Sequence, residues 1–215
     1  MDEETGIKDS EKQERDKMSV SKDYKVDTPA FKIMRTILTA GVLGSLLFGT
    51  LYCFCDMDWM LTGAIIFGMF AYHMAVRFLT PVMLFGIFHK RYDHNSKWFQ
   101  QRPWEKTLYQ FLRVRKWKNQ AITYDPGEYS MEKNSLEEIV NNMCHAELVH
   151  EWIVVFSFLS LLFSIPFGSF SAFFITALLS AVIECTFVVI QRYNRPRVVR
   201  IMEKKKKYDL QRKGR

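Results

Sequence analysis

Apolar residues along this chain are gathered into four blocks, with polar and charged residues between them. The blocks occupy residues 33–54, 59–88, 152–165 and 170–190. A helix needs roughly 20 apolar residues to cross a bilayer. The first and fourth blocks meet this requirement. The second exceeds it, so Pro81 predicts a kink with the end of that block at the membrane interface. We therefore expect four transmembrane helices arranged as two hairpins.

The third block is too short to cross a membrane unless its helix begins upstream. Ser135 and Glu138 form the Ser-x-x-Glu pattern of a capping box, which is typical of a helix N-terminus. No helix-breaking residue follows before Pro166. The sequence therefore predicts one helix that starts at Ser135 and continues into the third span.

The distribution of basic residues predicts how the spans are oriented. The chain has a net charge of +7. Ten Lys and Arg residues fall in residues 89–151 and eleven follow residue 190, whereas the links between paired blocks contain none. Because basic loops stay in the cytoplasm, both termini and the middle segment are predicted to be cytoplasmic in a multi-pass protein of the cell membrane. Basic charge beside spans suits anionic lipid, so membrane lipids, and no nucleic acid, are the expected partners.

These patterns give an all-α polytopic membrane protein in five parts. The parts are a disordered cytoplasmic tail (1–30), a first transmembrane hairpin (31–88), a cytoplasmic or interfacial segment (89–134), a long helix with the second hairpin (135–190) and a basic cytoplasmic tail (191–215). The first part is predicted to be disordered because it combines low hydrophobicity with many charges.

An aromatic and basic stretch in the middle segment, residues 98–118, favours a helix lying in the membrane interface. Pro103 suits the first turn of such a helix. Its apolar side chains recur at helical spacing: Trp104, Leu108, Phe111 and Leu112. The stretch is either an anchor, which the pattern favours, or part of a headgroup pocket formed by Glu105 with Arg113 or Arg115.

The helix that starts at Ser135 carries two ionisable residues in its apolar stripe. At about 100° per residue, Glu147 and His150 fall within that stripe, whereas His145 falls on the opposite, polar face. Residues three apart on a helix can touch, and a carboxylate that orients an imidazole prepares a general base. A structural pair is an equally good interpretation of the pattern. A metal site is less favoured because Glu-x-x-His needs further ligands.

Three arginines follow the fourth block within residues 191–197, namely Arg192, Arg195 and Arg197. Pro196 is predicted to break or kink the helix there. The planar guanidinium group suits phosphate or carboxylate, although anchoring to anionic lipid is the simpler alternative. Inside the spans, Arg77 and Glu184 are candidates for an ion pair.

Three stretches of the chain together resemble the glycosyl-diaponeurosporenoate acyltransferases, over about residues 98–202. The stretches are Trp104-Glu105-Lys106 with Val114-Arg115-Lys116-Trp117-Lys118, then Ala146-Glu147-Leu148-Val149-His150, and Gln191-Arg192-Tyr193-Asn194-Arg195-Pro196-Arg197. That family esterifies a sugar hydroxyl of a glycosylated carotenoid with a fatty acid, in the last step of staphyloxanthin-type carotenoid synthesis.

The resemblance implies acyl transfer and assigns roles to these residues. His150 is the expected general base and Glu147 the carboxylate that orients it. Arg192 and Arg195 are expected to hold the phosphate of the acyl donor or the developing oxyanion. The remaining residues expected to bind donor or substrate are Tyr193, Asn194, Arg197, Glu105 and Trp117. The expected partners are a lipid-like acceptor and an acyl donor that acts as co-substrate, with no cofactor and no metal. The alternative function is a non-enzymatic lipid-binding or scaffold protein of the membrane.

Overall fold

A computed structural model of the chain describes residues 28–120 and 126–213. The predicted disordered tail, residues 1–30, lies almost wholly outside the described residues. The α-helices are α1 (Pro29–Cys55), α2 (Asp58–Phe88), α3 (Pro103–Phe111), α4 (Val114–Trp117), α5 (Leu136–Leu159), α6 (Ser164–Phe167) and α7 (Phe170–Lys213). Short 3-10 helices cover Pro126–Tyr129 and Ser160–Phe163. No strand occurs in the two described ranges.

Four helical stretches among the described residues are long and apolar enough to cross a membrane. They are Pro29–Cys55, Asp58–Phe88, Leu136–Phe167 and Phe170–Arg212. This confirms the predicted all-α fold class with four membrane-spanning helices. Helix α2 ends and α5 begins at the same end of the bundle, where α3 and α4 also lie. We call this end the polar end.

The first hairpin packs α1 closely against α2 through small residues. A Cβ atom added at Gly41 would lie 2.8 Å from the backbone nitrogen of Ala71 and 2.9 Å from the carbonyl oxygen of Phe67. Ser45 donates its hydroxyl to the Ala64 carbonyl at 3.0 Å. Small residues are what allow such close approach between membrane helices, so any larger side chain at Gly41 would separate the two helices.

The second hairpin begins where the capping box predicted. The Ser135 hydroxyl accepts a hydrogen bond from the Glu138 amide at 3.2 Å, and the Glu138 carboxylate accepts one from the Ser135 amide at 2.7 Å. From there the third span continues to Phe167, which confirms that its helix starts at Ser135. Gly168, with φ of +68°, then turns the chain into α7, which packs along α5.

Both internal prolines lie inside continuous helices. Of the break or kink predicted at Pro196, the break does not occur, because α7 passes through this residue and continues to Lys213. Helix α2 likewise runs through Pro81 to Phe88. Proline removes one backbone hydrogen bond but its fixed φ is compatible with a helix. Next to Pro196, Arg195 is bound by Glu147 and by the Phe99 carbonyl, and Arg197 donates to the Tyr193 hydroxyl one turn earlier on the same helix.

Candidate functional site

Glu147, in the middle of α5, is fully buried and pairs with two arginines of α7. Arg192 donates from Nη1 to Oε1 of Glu147 at 2.6 Å, and Arg195 donates from Nη1 to Oε2. The carboxylate therefore uses both oxygens. A buried carboxylate is costly unless it is paired and hydrogen-bonded, and these two guanidinium groups meet that need.

Arg192 has a protein acceptor for every N–H of its guanidinium group, which carries five. Besides Glu147, it reaches Oε1 of Glu105 from Nε at 3.1 Å and from Nη2 at 2.5 Å. Its Nη1 also donates to the carbonyl of Trp98, and its Nη2 to that of Gln100, both at 3.0 Å. No N–H of Arg192 remains for the phosphate or oxyanion that the sequence assigned to it.

Arg195 is buried as well, and only 2% of its surface is exposed. Besides Glu147, it donates from Nη2 to the Phe99 carbonyl, and its guanidinium lies over the Phe99 ring with 5.0 Å between carbon Cζ and the ring centroid. Its surroundings are therefore formed by the protein itself, and a substrate phosphate would have to displace them.

Glu105, in the first turn of α3, completes this group of charges. Its carboxylate accepts from the Tyr109 hydroxyl at 2.6 Å as well as from Arg192. Burial by itself raises the pKa of Glu105, yet the hydrogen bonds from Arg192 and Tyr109 hold that pKa below its ordinary value. Burial and the neighbouring carboxylate raise the pKa of Tyr109, so its hydroxyl stays a donor.

We call Glu105, Glu147, Arg192 and Arg195 the arginine cluster. It contains two carboxylates and two guanidinium groups, so its charges balance. It joins three parts of the chain: residues 98–105, α5 and α7. Removing one partner of such a buried pair leaves an uncompensated charge and is strongly destabilising. The arginine cluster therefore stabilises the packing of residues 98–105, α5 and α7 against one another.

His150 has a different partner from the one that the sequence suggested. Its Nδ1 lies 2.6 Å from Oε2 of Glu184, on α7, whereas Glu147 is occupied by the arginines. The predicted contact between Glu147 and His150 is therefore wrong. The reason is that the two side chains reach different levels of α7: Glu184 precedes Arg192 by about two turns and Arg195 by about three.

Glu184 is itself buried and held from the other side by Arg77. Nη2 of Arg77 lies 2.7 Å from Oε1 of Glu184, which confirms the predicted ion pair. The same guanidinium donates to the Ser180 hydroxyl at 3.2 Å and to the His73 carbonyl at 3.1 Å. Glu184 thus connects His150 to an arginine on α2, and its position is fixed by three helices.

The contact between His150 and Glu184 determines which imidazole nitrogen is available for chemistry. A carboxylate only accepts hydrogen bonds, so Nδ1 carries the proton and Nε2 keeps its lone pair. Nε2 has no hydrogen bond within the described part of the chain, and 22% of the side chain is exposed. The ring stacks on Phe187 with centroids 4.8 Å apart. The pair is thus arranged as a general base with an orienting carboxylate.

His145 is not on a polar face, contrary to the helical-wheel prediction. It is buried, and its Nδ1 shares a hydrogen bond of 2.7 Å with the Tyr92 hydroxyl. Burial raises the pKa of Tyr92 to about 12, so the tyrosine remains neutral. The wheel failed here because residues 92–99 cover the side of α5 that the sequence left to solvent.

The last predicted binding residues lie between α7 and the end of α4. Tyr193 packs edge-on against Tyr109 with ring centroids 5.4 Å apart. Arg197 and Lys118 approach the Tyr193 ring, and Asn194 accepts a hydrogen bond from Lys118. Trp117 stands apart from them, since its indole nitrogen donates locally, to the Leu112 carbonyl at 2.8 Å.

The aromatic and basic stretch at residues 98–118 exposes its apolar and basic side chains together. Trp104 is 58% exposed and Phe111 83% exposed. Arg113 and Arg115 are exposed too, whereas Glu105, the only acid of the stretch, is buried. Glu105 therefore does not form a pocket with these two arginines. An exposed surface of aromatic and basic residues without acids is what a helix in an anionic membrane interface requires.

Sequence reasoning missed the role of Glu184 beside His150. The only signal was an ionisable residue inside an apolar span, which points to function without naming a partner. In the described part of the chain, no group of three or more His, Cys, Asp or Glu side chains could hold a metal ion.

The comparisons with known proteins agree with the resemblance. A family model described as glycosyl-4,4'-diaponeurosporenoate acyltransferase matches residues 95–204, about half of the chain. The match includes the arginine cluster, His150 and Glu184, and it leaves Arg77 outside. No curated protein and no solved structure matches the chain.

Proposed function

This chain belongs to the glycosyl-4,4'-diaponeurosporenoate acyltransferase family and is an acyltransferase of carotenoid biosynthesis, and on that premise we propose its acceptor and its location. The acceptor is a sugar hydroxyl of a glycosylated, carotenoid-like isoprenoid lipid. The donor is an activated fatty acyl ester or thioester. The reaction takes place at the cytoplasmic face of the cell membrane, where the basic segments of the chain would lie.

The observation that carries the proposal is the available Nε2 of His150 beside the buried Glu184. Acyl transfer to a sugar needs a base that removes the hydroxyl proton as the oxygen attacks the acyl carbonyl. His150 is the residue for this step because its Nδ1–H is held by Glu184 and its Nε2 is partly exposed. The carboxylate stabilises the imidazolium that forms.

The bonds and protons of the transfer balance around His150. The sugar hydroxyl gives its proton to Nε2, and its oxygen forms a C–O bond with the acyl carbonyl carbon. The bond from that carbon to the leaving group then breaks. The leaving group departs with the proton returned by His150, so the imidazole is regenerated and no further reactant is consumed.

The location of His150 suits an acceptor dissolved in the bilayer. Along α5, the residues that follow it expose large apolar side chains, with Trp152 42% and Val155 54% exposed. On α7, Ile183 beside Glu184 is also exposed. The isoprenoid part of an acceptor would lie against this apolar surface, with its sugar at the polar end beside the imidazole.

The acceptor is tested by expressing the full chain in cells that make a glycosylated carotenoid but lack its acylation. We expect lipid extracts to contain a new species that is heavier by one fatty acyl group and that alkaline hydrolysis returns to the starting glycoside. Mass spectrometry measures both species, and cells with the empty vector are the control. An unchanged glycoside in cells that hold folded protein in their membranes would refute the proposed acceptor.

A further inference from the structure

The cations at the polar end fall into two groups that differ in how their charge is balanced. Arg192 and Arg195 are neutralised by buried carboxylates. Lys118 and Arg197, in contrast, form no ion pair with any described carboxylate, and the described groups that they contact are neutral. Their charges are therefore available to an anion, whereas those of the arginine cluster are not.

Neutral side chains hold these two cations in place on the ring of Tyr193. Arg197 lies over the ring at 4.5 Å and donates from Nη2 to the Tyr193 hydroxyl at 2.8 Å. Nζ of Lys118 lies 5.7 Å from the ring centroid and donates to Oδ1 of Asn194 at 2.9 Å. Attraction between a cation and an aromatic face fixes position without cancelling charge.

Within the described residues, most donors of both side chains have no acceptor. A guanidinium group has five N–H and an ammonium group three. Arg197 and Lys118 each use one of them in the hydrogen bonds described above. The planar guanidinium group can bind two phosphate oxygens at once, and lysine adds a second positive charge.

We propose that Lys118 and Arg197, positioned by Tyr193 and Asn194, form a binding site for a phosphate group. The site rests on the proposed function, because it would hold the phosphate-bearing part of the acyl donor or a lipid headgroup at the polar end of the bundle. In this proposal, phosphate is bound by Lys118 and Arg197 instead of Arg192 and Arg195. Lys118 was not among the binding residues predicted from the sequence.

The position of this site limits how a donor could use it. Arg197 lies 13 residues beyond Glu184 on the same helix, which is about 20 Å at 1.5 Å per residue. A donor that reached both the site and His150 would need a long flexible arm between its phosphate and its acyl carbonyl. A phospholipid headgroup bound there would instead serve to hold the enzyme at an anionic leaflet.

The test uses the purified full chain in micelles of a neutral detergent. Isothermal titration calorimetry would measure its affinity for coenzyme A, a soluble phosphate bearer with a long arm, and for short-chain phosphatidylglycerol, a lipid headgroup. Variants Lys118→Gln and Arg197→Gln each remove one cation. The matched control is Arg200→Gln, which removes an exposed charge from the same helix.

We expect each of the two site variants to lose about ten-fold or more in affinity, the typical loss of a charge-assisted hydrogen bond, and Arg200→Gln to bind almost as wild type. A loss confined to coenzyme A would identify a soluble donor, and a loss confined to phosphatidylglycerol a lipid headgroup. Equal losses in all three variants, or no binding of either probe to wild type, would overturn the site.

Binding by a His150→Gln variant separates this inference from the proposed function, because the site would still bind if the chemistry assigned to His150 were wrong.

Discussion

Replacing His150 by glutamine is expected to slow acyl transfer by about 10²–10⁴-fold, the usual contribution of a positioned base. Glutamine can still donate a hydrogen bond to Glu184, so the buried carboxylate keeps a partner. It cannot accept the proton of a sugar hydroxyl, because an amide nitrogen is not basic. The rate of ester formation by purified protein in micelles, measured by mass spectrometry, gives the result.

The matched control is His145→Gln, on the same helix. His145 is buried and bound to Tyr92, and it has no contact with Glu184 among the described residues. We expect this variant to keep its rate per folded molecule. Full activity of His150→Gln, or an equal loss in both variants, would show that His150 is not the base.

Replacing Glu147 by leucine is expected to destabilise the protein by about 3–5 kcal/mol, because the change leaves the buried Arg195 and the half-buried Arg192 without the carboxylate that they share. Arg192 would keep Glu105, whereas Arg195 would keep the Phe99 carbonyl and ring but no carboxylate among the described residues. Thermal unfolding in micelles, followed by circular dichroism, measures the loss. The protein that stays folded should retain most of its acyl-transfer rate, since Glu147 does not contact His150.

Glu137→Gln serves as the comparison for this change. Glu137 also lies on α5, but its carboxylate is exposed and 3.8 Å from an equally exposed Lys206. Pairs of this kind contribute little to stability, so its unfolding temperature should stay close to that of wild type. A Glu147→Leu variant with wild-type stability and no activity would contradict this expectation and show that Glu147 takes part in catalysis.

The hydrophobic pattern was sufficient to predict the spans and the start of the third helix. Apolar length and the capping box are local properties of the chain, so they can be recognised without knowing the packing. Pro196 shows the limit of local rules. Next to it, Arg195 is bound by Glu147 of α5 and by the Phe99 carbonyl, and these partners are not visible in the sequence around the proline.

The partners of the charged residues could not be predicted for the same reason. Helical spacing shows that Glu147 and His150 are neighbours on α5. Which partner each one binds depends on the side chains of α7 that lie beside it. Arg192 is 45 residues from Glu147, and Glu184 is 34 residues from His150. The pattern placed both residues correctly in the apolar stripe, and only the packing of α5 on α7 separates their roles.

The central claim, that Glu184 orients His150 as the base, is tested most directly by the steady-state kinetics of Glu184→Gln. A glutamine at this position can donate from its amide to Nδ1 and favour the wrong imidazole tautomer, a change that costs about 10⁴-fold in kcat in the Asp-to-Asn variant of a serine protease triad. We predict a fall in kcat of at least about 10²-fold per folded molecule, with little change in the KM for the acceptor. An unchanged kcat, or a loss that appears only in KM, would contradict the account.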